Sequence, residues 1–308
     1  MNKKLIILLG PTASGKTKYS LLLAQKLKTE IVISDSRQVY KHLDIGTAKP
    51  SNKERKKIKH HLIDIITPPE GFNLAVYQNK AFKTIKALFE KHDNVILSGG
   101  TALYIDAVCK AYNLPAHDGD LSATRKKLED EVKKHGLAHL YEKLKEKDPE
   151  SAGKIHPNDK IRILRALEVS HLSGRSISSF KTLYPHPLNC SIIKIGFAME
   201  REKLYNRINA RVEEMIKEGL LDECGKLISL GYKESIEAKG IIGYNEMFKY
   251  LEGSLSLEEA TELLKKNTRN YAKRQLTWFR RDKDIHWIDL DKNNTDKEVI
   301  KKLLQIIQ

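Results

Sequence analysis

Apolar positions in the first third of the chain fall into short unbroken runs separated by stretches with helical spacing. Leu5–Leu9, Glu30–Ser34 and Asn94–Ser98 read as strands, because each run is short, apolar and bounded by turn residues. Between them, Lys16–Leu27 carries apolar residues at 19, 22, 23 and 27, and Phe72–Lys91 also has a helical pattern. His61–Ile66 reads as a further strand, and another helix begins near Thr101, a residue suited to cap it. Strands alternating with helices at this spacing predict an α/β fold, with a parallel sheet joined by right-handed crossovers.

The pattern changes near residue 113. Asn113–Asp120 has the composition of a linker, and Leu121 to Ser173 is helical in pattern apart from Asp148-Pro149 and His156–Asp159. A second break, Tyr184-Pro185-His186-Pro187, precedes a run at Ser191–Met199 that again reads as a strand. The remainder is mostly helical, with a late strand at Ile285–Asp289. These boundaries give a sheet core over 1–113, a helical insert over 114–188, and a second part of the core over 189–308. No internal repeat or low-complexity segment interrupts them.

The first strand runs into Gly10-Pro11-Thr12-Ala13-Ser14-Gly15-Lys16-Thr17, which matches G-x-x-x-x-G-K-[ST] between a strand and a helix. Glycines let the backbone curl so that successive N–H groups face phosphate oxygens. Lys16 adds a point charge, and the Thr17 hydroxyl suits Mg²⁺. Such a loop predicts polyphosphate binding without saying which polyphosphate. In a nucleoside-triphosphate hydrolase an apolar strand would end in a metal-holding Asp. Here the third strand ends Ser98-Gly99-Gly100-Thr101, and its glycines suggest close backbone approach to a ligand. The carboxylate instead follows the second strand, at Asp35. In a doubly wound sheet the carboxyl ends of neighbouring strands face one crevice, which brings Asp35 near the phosphate loop. From its position alone it is a metal ligand, a general base or an Asx-turn residue.

Charge adds a partner. Lys and Arg number 55 against 40 Asp and Glu, giving a net charge of +15. A field of that sign favours a polyanion, although a lysine-rich proteome would produce the same balance. Arg269, Lys273, Arg274, Arg280 and Arg281 lie in a segment without an acid from Thr268 to Arg281, read here as the C-terminal helix. Tyr271 and Trp278 share a face of it, which helical spacing assigns to the core. In the insert, Arg162 and Arg165 are three residues apart, so both can meet one RNA backbone. The three cysteines lie far apart with no C-x-x-C pair, which excludes a disulfide framework and argues against a zinc site. No apolar run approaches the ~20 residues that cross a bilayer, and the five-residue run Leu5–Leu9 is too short for a signal peptide. A cytoplasmic monomer is expected, with no membrane partner.

Several ordered segments carry a family resemblance. They are Gly10–Thr17, Asp35-Ser36-Arg37-Gln38-Val39-Tyr40, Asp44–Pro50, His60–Asp64, Gly99–Tyr104, Arg165–Val169 and Tyr271–Phe279. Together they make the chain similar to the tRNA dimethylallyltransferases, over nearly its whole length. The resemblance implies transfer of a dimethylallyl group from dimethylallyl diphosphate to N6 of the adenosine just 3′ of the anticodon. It implies a P-loop-type core with a helical insert that clamps the anticodon stem-loop. Gly10, Pro11, Thr12, Ala13, Ser14, Gly15, Lys16 and Thr17 would then hold the diphosphate, with Mg²⁺ on Thr17 and with Arg211 reaching the same group. Asp35 would be the base and Thr101 a hydrogen-bond partner of the adenine. Asp35 and Thr101 themselves, with Ser36, Arg37, Gln38, Ile161, Arg162, Arg165, Gly243, Tyr244, Lys273 and Arg274, would contact tRNA. Ile161, Ser170 and Asn245 depart from the family pattern, which more often has Gln, Tyr and Lys or Arg at those places. The chain also lacks the spacing of the zinc finger found in eukaryotic members. The main rival reading is a P-loop kinase of a nucleoside or small metabolite; a GTPase-like RNA-binding switch and an adenylate isopentenyltransferase are others.

Overall fold

The structure is a computed structural model and describes residues 3–114, 121–180, 185–293 and 295–308. Its chain divides into two compact units, residues 1–109 with 188–308, and residues 110–187.

The first unit is built on a six-stranded, all-parallel sheet with strand order β3-β2-β4-β1-β5-β6. Its central strand, β1 (Lys4–Leu9), pairs with β4 (Asn94–Gly99) on one side and β5 (Ser191–Ala198) on the other. Leu5 to Leu9 are buried, as expected where helices cover both faces of a parallel sheet. Helix α1 (Lys16–Leu27) leads to β2 (Ile31–Ile33). Next come α2 (Asn52–Lys57), the two-residue β3 (His60–His61) and α3 (Leu74–Phe89). The chain then returns to β4 and enters α4 (Ala102–Lys110). Because β4 lies between β1 and β2, the carboxyl ends of all three face one crevice.

The strand expected over His61–Ile66 stops after His61. Leu62 and Asp64 have φ of 61° and 55°, left-handed values that break an extended chain. What survives is an isolated parallel bridge between Tyr40 and Ile66.

Beyond β5 come α8 (Arg201–Lys217), α9 (Leu220–Ser229), α10 (Lys233–Ala238), α11 (Tyr244–Leu251) and α12 (Leu257–Phe279). Residues of these helices form a core with Val39, Tyr40 and Leu43. Strand β6 (Ile285–Asp289) and α13 (Asp296–Ile307) close the chain. Val299, Leu303 and Ile307 of α13 join the core on which β1 and α1 pack. The basic helix is therefore α12 and not the terminal one; Arg280 is its C-cap residue and Arg281 lies beyond it.

In the second unit, α5 (Leu121–Lys147) is interrupted at Gly136, whose φ of 81° and ψ of 165° are not helical. It is followed by α6 (Pro149–Ala152), capped by Asp148, and α7 (Lys160–Ser173), capped by Asp159. Leu140, Leu144, Ile163, Leu164 and Leu167 form its core. Most of the first expected linker, and Tyr184 of the second, lie outside the described residues.

Candidate active site

The loop after β1 is shaped by its backbone. Ala13 and Gly15 adopt left-handed φ of 62° and 87°, and Gly15 is the N-cap of α1. No side chain caps α1, and no acid occupies its first turn. Its leading N–H groups are thus left for an anion, on which the helix dipole also acts favourably. Ser14 is fully buried, and its Oγ has no hydrogen-bond partner. A Cβ on Gly10 would stand 3.0 Å from that Oγ and 3.0 Å from the Phe197 carbonyl oxygen, so only glycine fits there without a shift.

Two half-buried cations face this loop. Lys16 Nζ donates to the Pro11 carbonyl at 2.7 Å. Burial and the charge of Arg211 pull the Lys16 ammonium down to about 7, and Asp35 opposes them. Burial likewise lowers the pKa of Arg211, again with Asp35 opposing; its Nη1 donates to Thr12 Oγ1 at 3.3 Å. Desolvating two like charges side by side is costly unless an anion arrives to neutralise them. Arg207, one α-helical turn before Arg211, lines the same cavity.

Asp35 follows β2 and forms an Asx turn, its Oδ1 accepting from Arg37 N at 2.9 Å and Gln38 N at 3.4 Å. The turn uses Oδ1. Opposite, Thr101 Oγ1 accepts from Ser36 N at 2.9 Å and donates to Ser36 Oγ at 3.3 Å. The Thr101 hydroxyl thus ties the β2 loop to the β4 loop. Gly99 and Gly100 differ from their expected role as well. A Cβ on Gly99 would collide with the Ser34 carbonyl, and one on Gly100 with the Gln275 amide. Both glycines make room for protein.

Gln275 was not singled out by sequence reasoning. It is buried on α12, accepts from Thr12 N at 2.9 Å and donates to the Gly100 carbonyl at 2.7 Å, so it joins the phosphate loop to the β4 loop. Tyr271, Arg274 and Trp278 of the same helix line the cavity, which corrects the assignment of Tyr271 and Trp278 to the core. Trp278 is 37% exposed, and its Nε1 donates to Asp106 Oδ2 at 3.0 Å. Burial, with the nearby Asp35 charge, pushes the Tyr271 phenol up to about 12.

Another wall is a shaped loop. Gln38 Nε2 donates to the carbonyls of Thr47 and Ala48, at 3.1 and 3.2 Å. The Glu223 carboxylate accepts from Asp44 N, Ile45 N, Gly46 N and, at 2.6 Å, the Tyr244 hydroxyl. Tyr244 is fully buried, its ring filling the place where a Gly46 side chain would stand. Gly243 is buried too and donates its N–H to Glu246. These two expected RNA contacts therefore support the loop from behind, and the Tyr244 side chain is closed to RNA.

The cavity enclosed by these walls measures about 820 Å³, the upper range of small-ligand sites. It gathers Thr12, Ala13, Gly15, Lys16, Thr17, Asp35, Ser36, Arg37, Gln38, Thr101, Arg211 and Arg274 from the expected residues. Gly10, Pro11 and Ser14 complete the loop behind it, and Lys273 is exposed on α12. Ile161, Arg162 and Arg165 belong to the second unit. Ile161 is 72% exposed, Arg162 pairs with Asp159 at 3.3 Å, and Arg165 pairs with the buried Glu168 at 3.4 Å. Arg125 holds the same Glu168 at 2.8 Å.

A loop of P-loop pattern between strand and helix, set beside a strand-end acid on a parallel sheet, defines a P-loop-type site. The chain belongs to the IPP transferase family, whose model matches residues 38–282. That match begins after Asp35, but full-length relatives extend across the loop. A tRNA dimethylallyltransferase of Acetivibrio thermocellus is 45% identical over 300 residues, covering 97% of this chain and 95% of that protein. One of Halothermothrix orenii is 46% identical over 305 residues, covering 98% and 93%. The crystal structure of a tRNA isopentenylpyrophosphate transferase from Bacillus halodurans aligns with a TM-score of 0.68 at 42% identity, over 99% of this chain and 98% of that one. A eukaryotic dimethylallyltransferase captured acting on tRNA aligns with a TM-score of 0.77 at 28% identity, over 93% of this chain and 74% of that one.

Proposed function

We propose that the chain transfers the dimethylallyl group of dimethylallyl diphosphate to N6 of the adenosine immediately 3′ of the anticodon in tRNA, releasing pyrophosphate. The observation that carries this reading is the pair of half-buried, partly desolvated cations, Lys16 and Arg211, set against an open α1 N-terminus in the cavity that also holds Asp35.

The loop amides, Lys16 and Arg211 hold the diphosphate. As the bond between the allylic carbon and its oxygen breaks, the electron pair passes to the diphosphate, and these cations stabilise the growing charge. The lone pair of N6 forms the new C–N bond. Asp35, whose turn occupies Oδ1, takes the proton that N6 gives up. Thr101 steadies the adenine edge, at the cost of loosening its bond to Ser36. The base itself is swung out of the anticodon loop into the cavity, as base-modifying enzymes require. The exposed Lys273, Arg274 and Arg162, and the half-buried Arg165, engage RNA phosphates.

The donors present suit Mg²⁺. Thr17 lines the cavity at the start of α1 with a hard hydroxyl oxygen, and Mg²⁺ commonly combines few protein ligands with phosphate oxygens and water. Thr17 would hold it, and the ion, when bound, would neutralise charge on the leaving diphosphate.

Among the described residues no helix is long and apolar enough to cross a membrane, and we place the activity in the cytoplasm, as a monomer. The test is to incubate the protein with an anticodon stem-loop and labelled dimethylallyl diphosphate. Label on the adenosine 3′ of the anticodon, with equimolar pyrophosphate, is expected. Transfer of a γ-phosphate from ATP to a small acceptor, with no label on RNA, would overturn the reading.

A further inference from the structure

Arg37 and Lys239 come from distant parts of the chain and meet beside the cavity. Arg37 donates through Nη2 to the carbonyl oxygen of Lys239 at 3.0 Å. Lys239 is the C-cap residue of α10, and its Nζ lies 5.7 Å from the centre of the Tyr40 ring. The same ammonium donates to Ser235 Oγ at 2.8 Å, and Ser235 donates to the Pro68 carbonyl at 2.6 Å, which fixes its position. Burial and the like charge of Arg37 lower the pKa of Lys239. Among the described residues, the hydrogen-bond acceptors of both cationic groups are neutral oxygens.

Donor capacity remains on both. A guanidinium carries five N–H donors and an ammonium three; one is used on Arg37, and the oxygens of Ser235 take two on Lys239. Their location is equally specific. Arg37 lines the cavity two residues after Asp35, and Gly240, Ile241 and Ile242, which follow Lys239, line it too.

We propose that Arg37 and Lys239 form a phosphodiester-binding clamp at the edge of the cavity, which grips the RNA backbone beside the target adenosine. The clamp rests on the tRNA reading above and names a site within it. A planar guanidinium next to a compact ammonium suits an anion with several oxygens, one group giving a fork and the other a point charge. Extruding a base also requires the backbone beside it to be held. The diphosphate of the small substrate is the other available anion, but Lys16, Arg211 and the α1 amides already serve it.

Lys239→Gln and Lys239→Arg test the clamp. With Gln, stem-loop binding at low salt should weaken several-fold. The slope of log affinity against log salt should fall by about 0.7–1, the loss of one phosphate contact. The KM for dimethylallyl diphosphate should not move, and Lys239→Arg should restore the slope. A stem-loop carrying a single neutral methylphosphonate linkage next to the target adenosine should bind less well to the wild type, and should lose less affinity on Lys239→Gln, where Arg37 alone remains to meet the phosphate. A wild-type salt slope in Lys239→Gln, or a change confined to the diphosphate KM, would overturn the clamp. A wild-type chain that prenylates no RNA would overturn the underlying activity and the clamp with it.

Discussion

Gln275 Nε2 donates to the carbonyl of Gly100 at 2.7 Å across 175 positions of sequence, and the same amide accepts from Thr12 N. One side chain thus sets the distance between the Gly10–Thr17 loop and the loop that carries Thr101. Replacing it with Glu keeps an acceptor for Thr12 but removes the donor for Gly100. A buried carbonyl left unpaired costs about 1–3 kcal/mol, before the added charge is counted. Gln275→Glu should therefore lower the Tm by several degrees and raise the KM for dimethylallyl diphosphate; Gln275→Ala should do both through loss of the bridge. Thermal unfolding and initial-rate kinetics on the two variants check this.

Lys16 should make diphosphate binding pH-dependent. Its ammonium is pulled to about 7 in the unliganded protein, and a bound diphosphate restores the charged form. Once the pH lies below about 7 the lysine is increasingly protonated, so its own titration should add little further pH dependence there. Above pH 7 binding must take up a proton, and the Kd should rise by up to tenfold per pH unit. Calorimetry in buffers of different ionisation enthalpy would count that proton. Lys16→Met should bind weakly with no such uptake.

Asp35→Asn separates turn from chemistry. The amide oxygen can still accept from Arg37 N, so the loop should keep its shape. Without the carboxylate, transfer should fall by about 10²–10⁴-fold, the usual contribution of a positioned base. Stem-loop affinity should stay within a factor of two or three. Single-turnover rates and RNA binding, measured on the same preparation, check both parts.

Trp278 offers an exposed ring at the cavity wall, held by its bond to Asp106. Base stacking on an aromatic side chain contributes about 1–3 kcal/mol. Trp278→Ala should raise the KM for the stem-loop by roughly 5–150-fold on that scale, with the diphosphate KM unchanged. Trp278→Phe should fall between, and kinetics with each substrate varied in turn checks the ordering.

The loop Gly10–Thr17 and the flanking β1 and α1 were legible because the motif, strand and helix are contiguous in sequence. Strand β6 was legible for the same local reason. Other features depend on distant neighbours. Nothing local reveals that Gly99 clears the Ser34 carbonyl, or that the Tyr244 ring occupies the space beside Gly46. Tyr271 and Trp278 have the spacing of a core stripe; only the placement of α12 beside the phosphate loop turns that stripe toward the cavity. A leucine with positive φ is rare enough that the end of β3 could not be read from residue types. Gln275 lies within the Tyr271–Phe279 segment, but its amide shows its use only when both loops are in place.

Tyr271, Arg274, Gln275 and Trp278 occupy one stripe of α12 at offsets of three, four and seven residues. Inserting a single residue upstream of that stripe would turn it by about 100° and swing all four side chains away together. Evolution can therefore exchange individual letters in this stretch far more easily than it can alter the count of letters preceding them.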